Sequence, residues 1–265
     1  TALKKVDLLN KGWNWMTKLR RSKIPFYDEV HEIKIHGDKQ VSSISFKTNK
    51  NAEINIQTEK IFIHQGVVPN VNLPMAAGCD HQWDPLQLCW KPVTKINGET
   101  SISGLWIAGD GAGIIGARGS EAAGHITAAA VLEKIGIKQP LKGITEWQKI
   151  LKDERAFRPF IDTLFQPCKS LRVPQNDETI VCRCEEITAG EIRKNITLGC
   201  VGPNQLKAFC RAGMGACQGR FCGLTVSEMI ASERRVSVPE VGYYRLRPPV
   251  KPLTLSELAS LNEII

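Results

Sequence analysis

Four of the nine cysteines fall into two closely spaced pairs, and this spacing constrains the fold more than any other feature of the sequence. Cys182 and Cys184 form a C-x-C pair, and Cys217 and Cys222 form a C-x4-C pair. Each pair places two thiols in one loop, so a fold that brings the loops together would present four thiolates to one centre. The sequence shows no charged-then-apolar leader, and we therefore expect a cytoplasmic protein whose cysteines are reduced or bind metal.

Four thiolates complete the ligand set of a [2Fe-2S] cluster, and each loop could supply the two ligands of one iron. A structural zinc ion also takes four cysteines, but usually from C-x2-C or C-x4-C pairs, so the C-x-C pair favours the cluster. Buried thiols without a ligand remain a third interpretation. Cys200 and Cys210 could replace a ligand, although their irregular spacing favours core packing. Cys79, Cys89 and Cys168 are expected to be structural.

The sequence between the cysteine pairs predicts two short helices that could fold back and bring the pairs together. Thr188 and Glu191 fit a capping box for the first helix, and Pro203 opens the second, which is predicted to end at Gly213. The glycines of residues 213–223 would let backbone N–H groups approach cluster sulfurs closely. Three arginines would offset part of the negative charge of a four-thiolate cluster and raise its potential. They are Arg183, Arg211 and Arg220.

A second glycine-rich turn lies between a predicted strand at residues 104–108 and a predicted helix at residues 120–135. Gly111, Gly113 and Gly116 satisfy the pattern G-x-G-x-x-G, which occurs in dinucleotide-binding folds. Such a fold also needs a second parallel strand that ends in an acidic residue, and polar sequence follows the helix here instead. The turn is therefore a weak candidate for nicotinamide binding, and a plain tight turn beside a sheet is a further alternative.

The rest of the chain shows helical and strand patterns separated by turn residues. Apolar residues at three- and four-residue steps predict a first helix with one buried face. Three strand-like runs predict a β-meander, and a fourth apolar run leads into a loop with Gly and Pro. In chain order, these segments are residues 1–21 for the helix, 29–35, 41–47 and 52–57 for the strands, 60–64 for the apolar run, 66–70 for its loop, 79–98 for an irregular segment and 145–155 for another helix.

Composition excludes several classes of protein. With 42% hydrophobic and 23% charged residues among 265, the chain is globular rather than disordered, collagen-like or coiled coil. The net charge of +8 comes from scattered basic residues, so no nucleic-acid partner is expected. No apolar run approaches the length of a membrane span. Thr1 stands where a complete chain would have Met, so we expect an upstream part of the same polypeptide.

The cysteine region resembles a known family. Cys182-Arg183-Cys184-Glu185, followed by the segment of residues 204–222 with Gly213-Met214-Gly215-Ala216-Cys217, is similar to the bacterioferritin-associated-ferredoxin-like [2Fe-2S] domain. More narrowly, it resembles the copy in the FAD and [2Fe-2S] alpha subunits of opine oxidase, hydrogen cyanide synthase and dye-linked proline or hydroxyproline dehydrogenase. This resemblance implies a [2Fe-2S] cluster held by Cys182, Cys184, Cys217 and Cys222.

Two further segments resemble the same flavoproteins. The run of residues 104–110 looks like the second FAD motif of glutathione-reductase-like proteins, which implies that Gly109, Asp110 and Gly111 contact FAD. The loop at residues 66–70 resembles the segment that crosses back to the FAD domain. The first G-x-G-x-x-G of that family is absent here, so FAD retention is expected to need the missing upstream part.

The resemblance implies an α/β fold class: the C-terminal portion of a two-dinucleotide-domain, glutathione-reductase-like flavoprotein plus a small helical [2Fe-2S]-binding domain. The expected boundaries follow from this resemblance, and a composition shift before Thr179 supports one of them. They are residues 1–75 for the end of the nucleotide-binding domain with the meander, 76–140 for the C-terminal segment of the FAD-binding domain, 141–178 for a helical linker, 179–235 for the [2Fe-2S] domain and 236–265 for an extended tail.

The resemblance also implies a function. We expect the electron-transfer alpha subunit of an oxidoreductase that acts on an amino acid or secondary amine of the opine, proline, hydroxyproline or glycine type. Its partners would be an FAD-containing beta subunit, the upstream part of the same flavoprotein and an electron acceptor. No catalytic residue is assigned, because none of the five histidines lies at a diagnostic spacing. The alternative is a non-enzymatic redox-sensing or metal-binding module on a degenerate flavoprotein scaffold.

Overall fold

The computed structural model describes residues 6–49, 52–137 and 143–260 as a mixture of helices and short strands. Contacts divide the chain into two units, Thr1–Gln65 and Gly66–Ile265. The described helices are α1 (Val6–Arg21), α2 (Asn72–Ala76), α3 (Ala117–Lys134), α4 (Ile144–Leu164), α5 (Lys169–Arg172), α6 (Ala189–Thr197), α7 (Pro203–Cys210), α8 (Gly223–Arg234), α9 (Val238–Val241) and α10 (Leu255–Ala259). The described strands are β1 (His31–Gly37), β2 (Val41–Lys47), β3 (Glu53–Gln57), β4 (His81–Asp84), β5 (Cys89–Pro92), β6 (Ile180–Cys182) and β7 (Ile187–Thr188).

The first unit contains α1 and the antiparallel meander β1-β2-β3. The central strand β2 is the most buried of the three, and its Phe46 packs edge-on against Tyr27 with ring centroids 5.1 Å apart. The predicted meander is therefore confirmed. The predicted buried face of the first helix is not, because Val6, Trp13 and Met16 are exposed in the described chain. Residues 1–5 of that predicted helix lie outside the described residues.

In the second unit, the hairpin β4-β5 and the helix pair α3-α4 follow α2 along the chain. The hairpin pairs Trp83 with Trp90, whose ring centroids lie 5.8 Å apart. Small residues on α3, including Ala122 and Ala123, let α4 approach closely enough to bury Leu151 between the helices. The hairpin lies in the segment that was expected to be irregular.

Helices α6 to α9 surround a second core at the other end of this unit. Its largest fully buried side chains are Ile192, Leu206, Val226, Met229 and Ile230. Two of these helices begin at the predicted signals: α6 has the Thr188 and Glu191 capping box, and α7 has Pro203 at its first turn. The two predicted helices between the cysteine pairs are confirmed, although α7 ends at Cys210 rather than Gly213.

The strand predicted at residues 104–108 does not form, and the apolar run at residues 60–64 does not form a strand either. Residues 104–108 make a single bridge, between Glu99 and Trp106, and otherwise close a turn in which the Ile107 N–H donates to the Gly98 carbonyl at 2.8 Å. Residues 60–64 carry no strand assignment. Apolar composition alone does not produce a strand, because a strand needs a neighbour with which to form backbone hydrogen bonds.

Candidate functional site

The structure brings the four cysteines of the two pairs together at the end of the α6-α8 core. Cys182 ends β6 and Cys222 directly precedes α8, and both side chains are buried, at 1% and 2% exposure. Cys184, in the turn after β6, is exposed, and Cys217 is half-buried. The Cys184 thiol lies close enough to Cys217 to lower its pKa, and the Cys182 thiol lies close enough to Cys222 to raise its pKa. Each contact therefore joins one cysteine of the first loop to one of the second.

Glycines let the two loops meet. A side chain at Gly215 would overlap the Cβ of Cys184, so only glycine permits this approach. The N–H of Gly213 lies 3.4 Å from the Cys182 sulfur and donates to it. Gly213 has a φ of +87°, which is in the left-handed region that favours glycine. A backbone N–H thus approaches a cysteine sulfur at Gly213, whereas the close contact at Gly215 is with the Cys184 side chain.

Two tyrosines from the C-terminal segment pack against the second cysteine loop and donate hydrogen bonds to it. The Tyr244 hydroxyl, in a side chain that is only 4% exposed, donates to the Ala212 carbonyl at 2.8 Å. The ring of Tyr244 also fills the space where Gly213 and Gly219 would carry side chains. The Tyr243 hydroxyl donates to the Gly219 carbonyl at 3.4 Å. No spacing in the sequence links Tyr243 and Tyr244 to the cysteines, so sequence reasoning missed them.

The environments of Cys217 and Cys222 shift the pKa values of these two thiols in opposite directions. Burial raises the pKa of Cys217, but hydrogen bonds from the Phe221 N–H, the Cys184 thiol and the N–H groups of Gly219 and Arg220 outweigh it and lower that pKa. Burial, together with the nearby Cys182 and Cys217, raises the pKa of Cys222 far above its usual value. Donors around Cys217 therefore stabilise a thiolate, whereas Cys222 needs a bound cation to ionise.

The three arginines expected near the cluster occupy different environments. Arg211 pairs with Glu185 at 2.8 Å, and Arg220 lies 4.8 Å from the centre of the Phe221 ring. Arg183 is exposed beside Cys184. Part of the positive charge near the cysteines is therefore balanced by Glu185.

The sulfur donors have the chemistry that an iron–sulfur cluster requires. Four cysteine sulfurs lie on two touching loops, with backbone N–H groups directed at Cys182 and Cys217, and such clusters have thiolate ligands and N–H to sulfur bonds. As the side chains stand, the described ranges contain no group of three or more His, Cys, Asp or Glu residues placed to hold a metal ion. The four cysteines are thus of the ligand type that a [2Fe-2S] cluster requires, and their sulfurs lie in two pairs, Cys184 with Cys217 and Cys182 with Cys222.

The turn predicted to contact FAD forms a short 3-10 helix, Gly109–Ala112, just before α3. The Asp110 Oδ1 accepts hydrogen bonds from the Ile115 N–H at 2.8 Å, the Gly116 N–H at 3.1 Å and the Ser120 hydroxyl at 3.0 Å. Gly109 has a φ of +66°, and a side chain there would press on Ser120. Asp110 thus holds the loop that leads into the N-terminus of α3, the helix end that favours anions.

A cleft of about 320 Å³ borders this turn on the side of the hairpin and α4. Gln87 spans it, since its side-chain amide accepts from the Ile114 N–H at 3.0 Å and donates to Asp162 at 2.9 Å. Lys91 pairs with Asp84 at 2.6 Å on the same wall. These polar residues were also missed, because no hairpin was predicted for this segment.

No described helix combines the length and the apolar character needed to cross a bilayer.

Comparison with known proteins places these features in context. Residues 176–261 match the family described as the sarcosine oxidase A3 domain. Over 235 residues the chain is 45% identical to the A subunit of opine oxidase from Rhizobium meliloti, covering 88% of this chain and 44% of that protein. It is 24% identical over 271 residues to hydrogen cyanide synthase subunit HcnB of Pseudomonas aeruginosa, covering 98% of this chain and 58% of HcnB.

The fold is also similar to a solved structure, that of L-proline dehydrogenase from P. horikoshii. The TM-score is 0.71 at 18% sequence identity, over 94% of this chain and 48% of that one. The chain spans about half the length of the curated relatives that it matches. These similarities place the chain in the family that includes the A subunit of opine oxidase and the HcnB subunit of hydrogen cyanide synthase.

Proposed function

We propose that this chain is the electron-transfer part of a flavin- and [2Fe-2S]-dependent oxidoreductase that oxidises an amino acid or secondary amine. Its relatives are named opine oxidase and hydrogen cyanide synthase subunits, and its structural neighbour is a proline dehydrogenase. The proposed partner is a second subunit with its own flavin and the substrate site. Cys182, Cys184, Cys217 and Cys222 would hold the cluster.

The observation that carries this proposal is the meeting of two cysteine loops whose backbone N–H groups donate to sulfur. A bound [2Fe-2S] cluster supplies one-electron transfer between a flavin and an acceptor. The residues of this chain would hold the cluster and determine which of its sides is exposed. Buried Cys182 and Cys222 would anchor the inner side, and exposed Cys184 would lie closest to a redox partner.

The flavin part of the proposal is supported by the turn at Asp110. The turn and α3 lie within residues 76–140, which we assign to the C-terminal segment of an FAD-binding domain, while residues 179–235 form the proposed cluster domain. Because Asp110 Oδ1 accepts from two backbone N–H groups of the α3 entry loop, it fixes where that helix points its positive end. Gly109 and Gly111 would let a cofactor approach the backbone there.

The first test is an anaerobic visible spectrum of the purified protein, with analysis of iron, acid-labile sulfide, zinc and flavin. We expect about two irons and two sulfides per chain and charge-transfer bands that bleach on addition of dithionite. Flavin in the same preparation supports the second cofactor site.

One zinc without sulfide would refute the electron-transfer role. That result would favour the alternative, a metal-binding module in which the four cysteines have a structural role. The absence of zinc, iron and flavin, together with reversible thiol oxidation, would favour a redox-sensing module instead.

A further inference from the structure

One polar side chain connects the loop before α2 to the second cysteine loop. Asn72, only 4% exposed, begins α2 two residues after the end of the Gly-Val-Val-Pro-Asn loop of residues 66–70. Its Nδ2 donates to the Gln218 carbonyl at 3.1 Å and to the Cys217 carbonyl at 3.4 Å. Its own N–H donates to the Asn70 side-chain oxygen at 3.3 Å. Asn72 thus ties residues that are 145 positions apart in the sequence.

Because the peptide bond is planar, the contact of Asn72 with the Gln218 carbonyl also orients an N–H group near the Cys217 sulfur. The Gln218 carbonyl and the Gly219 N–H belong to one planar trans peptide, so they point in opposite directions. With the carbonyl held towards Asn72, the N–H points the other way, and it is one of the backbone groups that lower the pKa of Cys217. The Asn72 amide therefore orients a peptide whose N–H helps to lower the pKa of Cys217, and a hydrogen bond to the carbonyl of that peptide polarises its N–H.

We propose that Asn72 is a positioning residue for the cysteine site: it orients the N–H groups around Cys217 and thereby raises the reduction potential of the cluster held there. This inference rests on the proposed function. A reduced cluster carries one more negative charge than an oxidised one, so N–H dipoles directed at its sulfur stabilise the reduced form more. When Asn72 is lost, the Gln218–Gly219 peptide can rotate and this stabilisation weakens.

The choice of variant follows from the space around the residue. A cavity of about 30 Å³ adjoins Asn72, Trp90 and Tyr243, and it is large enough for a water molecule. Shortening Asn72 to alanine would enlarge this space, and water could then replace the amide donor. Asn72→Leu keeps the number and branching of the side-chain heavy atoms and removes the donor, and the adjoining cavity leaves room for the larger methyl groups. Asn195→Leu is the matched control, because the Asn195 amide donates at 2.8 Å to a carbonyl within α6, away from the cysteine loop.

The experiment uses the complete complex and measures the cluster potential by an EPR-monitored redox titration, with iron and sulfide analysis. We expect Asn72→Leu to retain its iron and to be reduced about tenfold less favourably, a fall of about 59 mV for a one-electron couple. Asn195→Leu should keep the wild-type potential. An unchanged potential in Asn72→Leu with full iron content would overturn the proposal.

Hydrogen exchange gives a readout that does not depend on the cluster. In cluster-free chains we expect faster exchange in the peptide covering residues 217–223 of Asn72→Leu, and unchanged exchange in α6 and α8. Equal exchange of that peptide in wild type and Asn72→Leu would overturn the positioning role. A general increase in exchange across α6 and α8 would also overturn it, because Asn72 would then stabilise the whole unit rather than the loop. If wild-type protein itself lacks iron and sulfide, the proposed function fails, and the exchange result still decides whether Asn72 orders the loop.

Discussion

Replacing Gly213 by alanine should destabilise the cysteine loop through two separate costs. The first is conformational, because Gly213 has a φ of +87°, where an L-residue is disfavoured by about 1 kcal/mol. The second is steric, because the new Cβ would lie 2.7 Å from the Cε2 and Oη atoms of Tyr244. Tyr244 cannot move away freely, since its ring is buried and its hydroxyl donates to the Ala212 carbonyl.

The size of the effect follows from these two costs. Forcing a methyl group into a well-packed site costs about 1–3 kcal/mol, so the loss of unfolding free energy should be about 3 kcal/mol in total. For a unit of this size, each 1 kcal/mol corresponds to a shift of about 2–4 °C in Tm, which gives a fall of about 6–12 °C. The Gly213 N–H that donates to Cys182 should also be displaced, so the variant should bind less iron.

Gly136→Ala is the matched control, assayed beside Gly213→Ala by differential scanning calorimetry. Gly136 has a similar φ of +80° but open space where a side chain would point, so it isolates the conformational cost. Its Tm should fall by only about 2–4 °C, as expected for about 1 kcal/mol. Equal shifts in the two variants would refute the argument that the Tyr244 ring fixes the loop.

Three further outcomes are expected. Cys217→Ser should abolish or strongly alter the visible absorption of the cluster, whereas Cys168→Ser should not; an unchanged spectrum with full iron would exclude Cys217 as a ligand. Asp110→Ala should weaken flavin retention in the complete complex. Asp110→Asn keeps an acceptor for the Ile115 N–H and should therefore lose less flavin. Equal flavin occupancy in wild type and Asp110→Ala would contradict the role of that turn. A hydrogen bond from Ser170 lowers the pKa of exposed Cys168, so the pH midpoint of its alkylation by iodoacetamide should lie below that of an ordinary thiol. Ser170→Ala should move this midpoint upwards. An unchanged midpoint would rule out the Ser170 hydroxyl as the cause.

Local signals in the sequence predicted the local structure around the cysteines well. Thr188 with Glu191 and Pro203 are short-range signals, because a capping box and an N-terminal proline act within one helical turn, and α6 and α7 start where these residues predict. The spacing of the cysteines also indicated that two loops would meet, and the contacts of Cys184 with Cys217 and of Cys182 with Cys222 join those loops.

What the sequence could not show depends on long-range packing. Helix α8 was not predicted because polar Ser227 and Glu228 are buried beside Met229 and Ile230, so the helix has no polar face to produce a periodic pattern. The strand prediction for the apolar stretch at residues 104–108 was wrong, because within the described residues this stretch pairs with no strand and makes only one bridge. Tyr244 and Asn72 act on the cysteine loop across 32 and 145 positions, and no local pattern marks such contacts.

The support of the cysteine loop by Tyr243 and Tyr244 has a consequence for biosynthesis. All four cysteines leave the ribosome before these tyrosines do, so a nascent chain would expose its thiols without the packed loop that holds them in place. If the four cysteines hold the proposed cluster, we expect its insertion only after residue 244 has emerged. A chain that stops at residue 242 would keep every cysteine and still lack the ring and hydroxyl contacts that shape the loop.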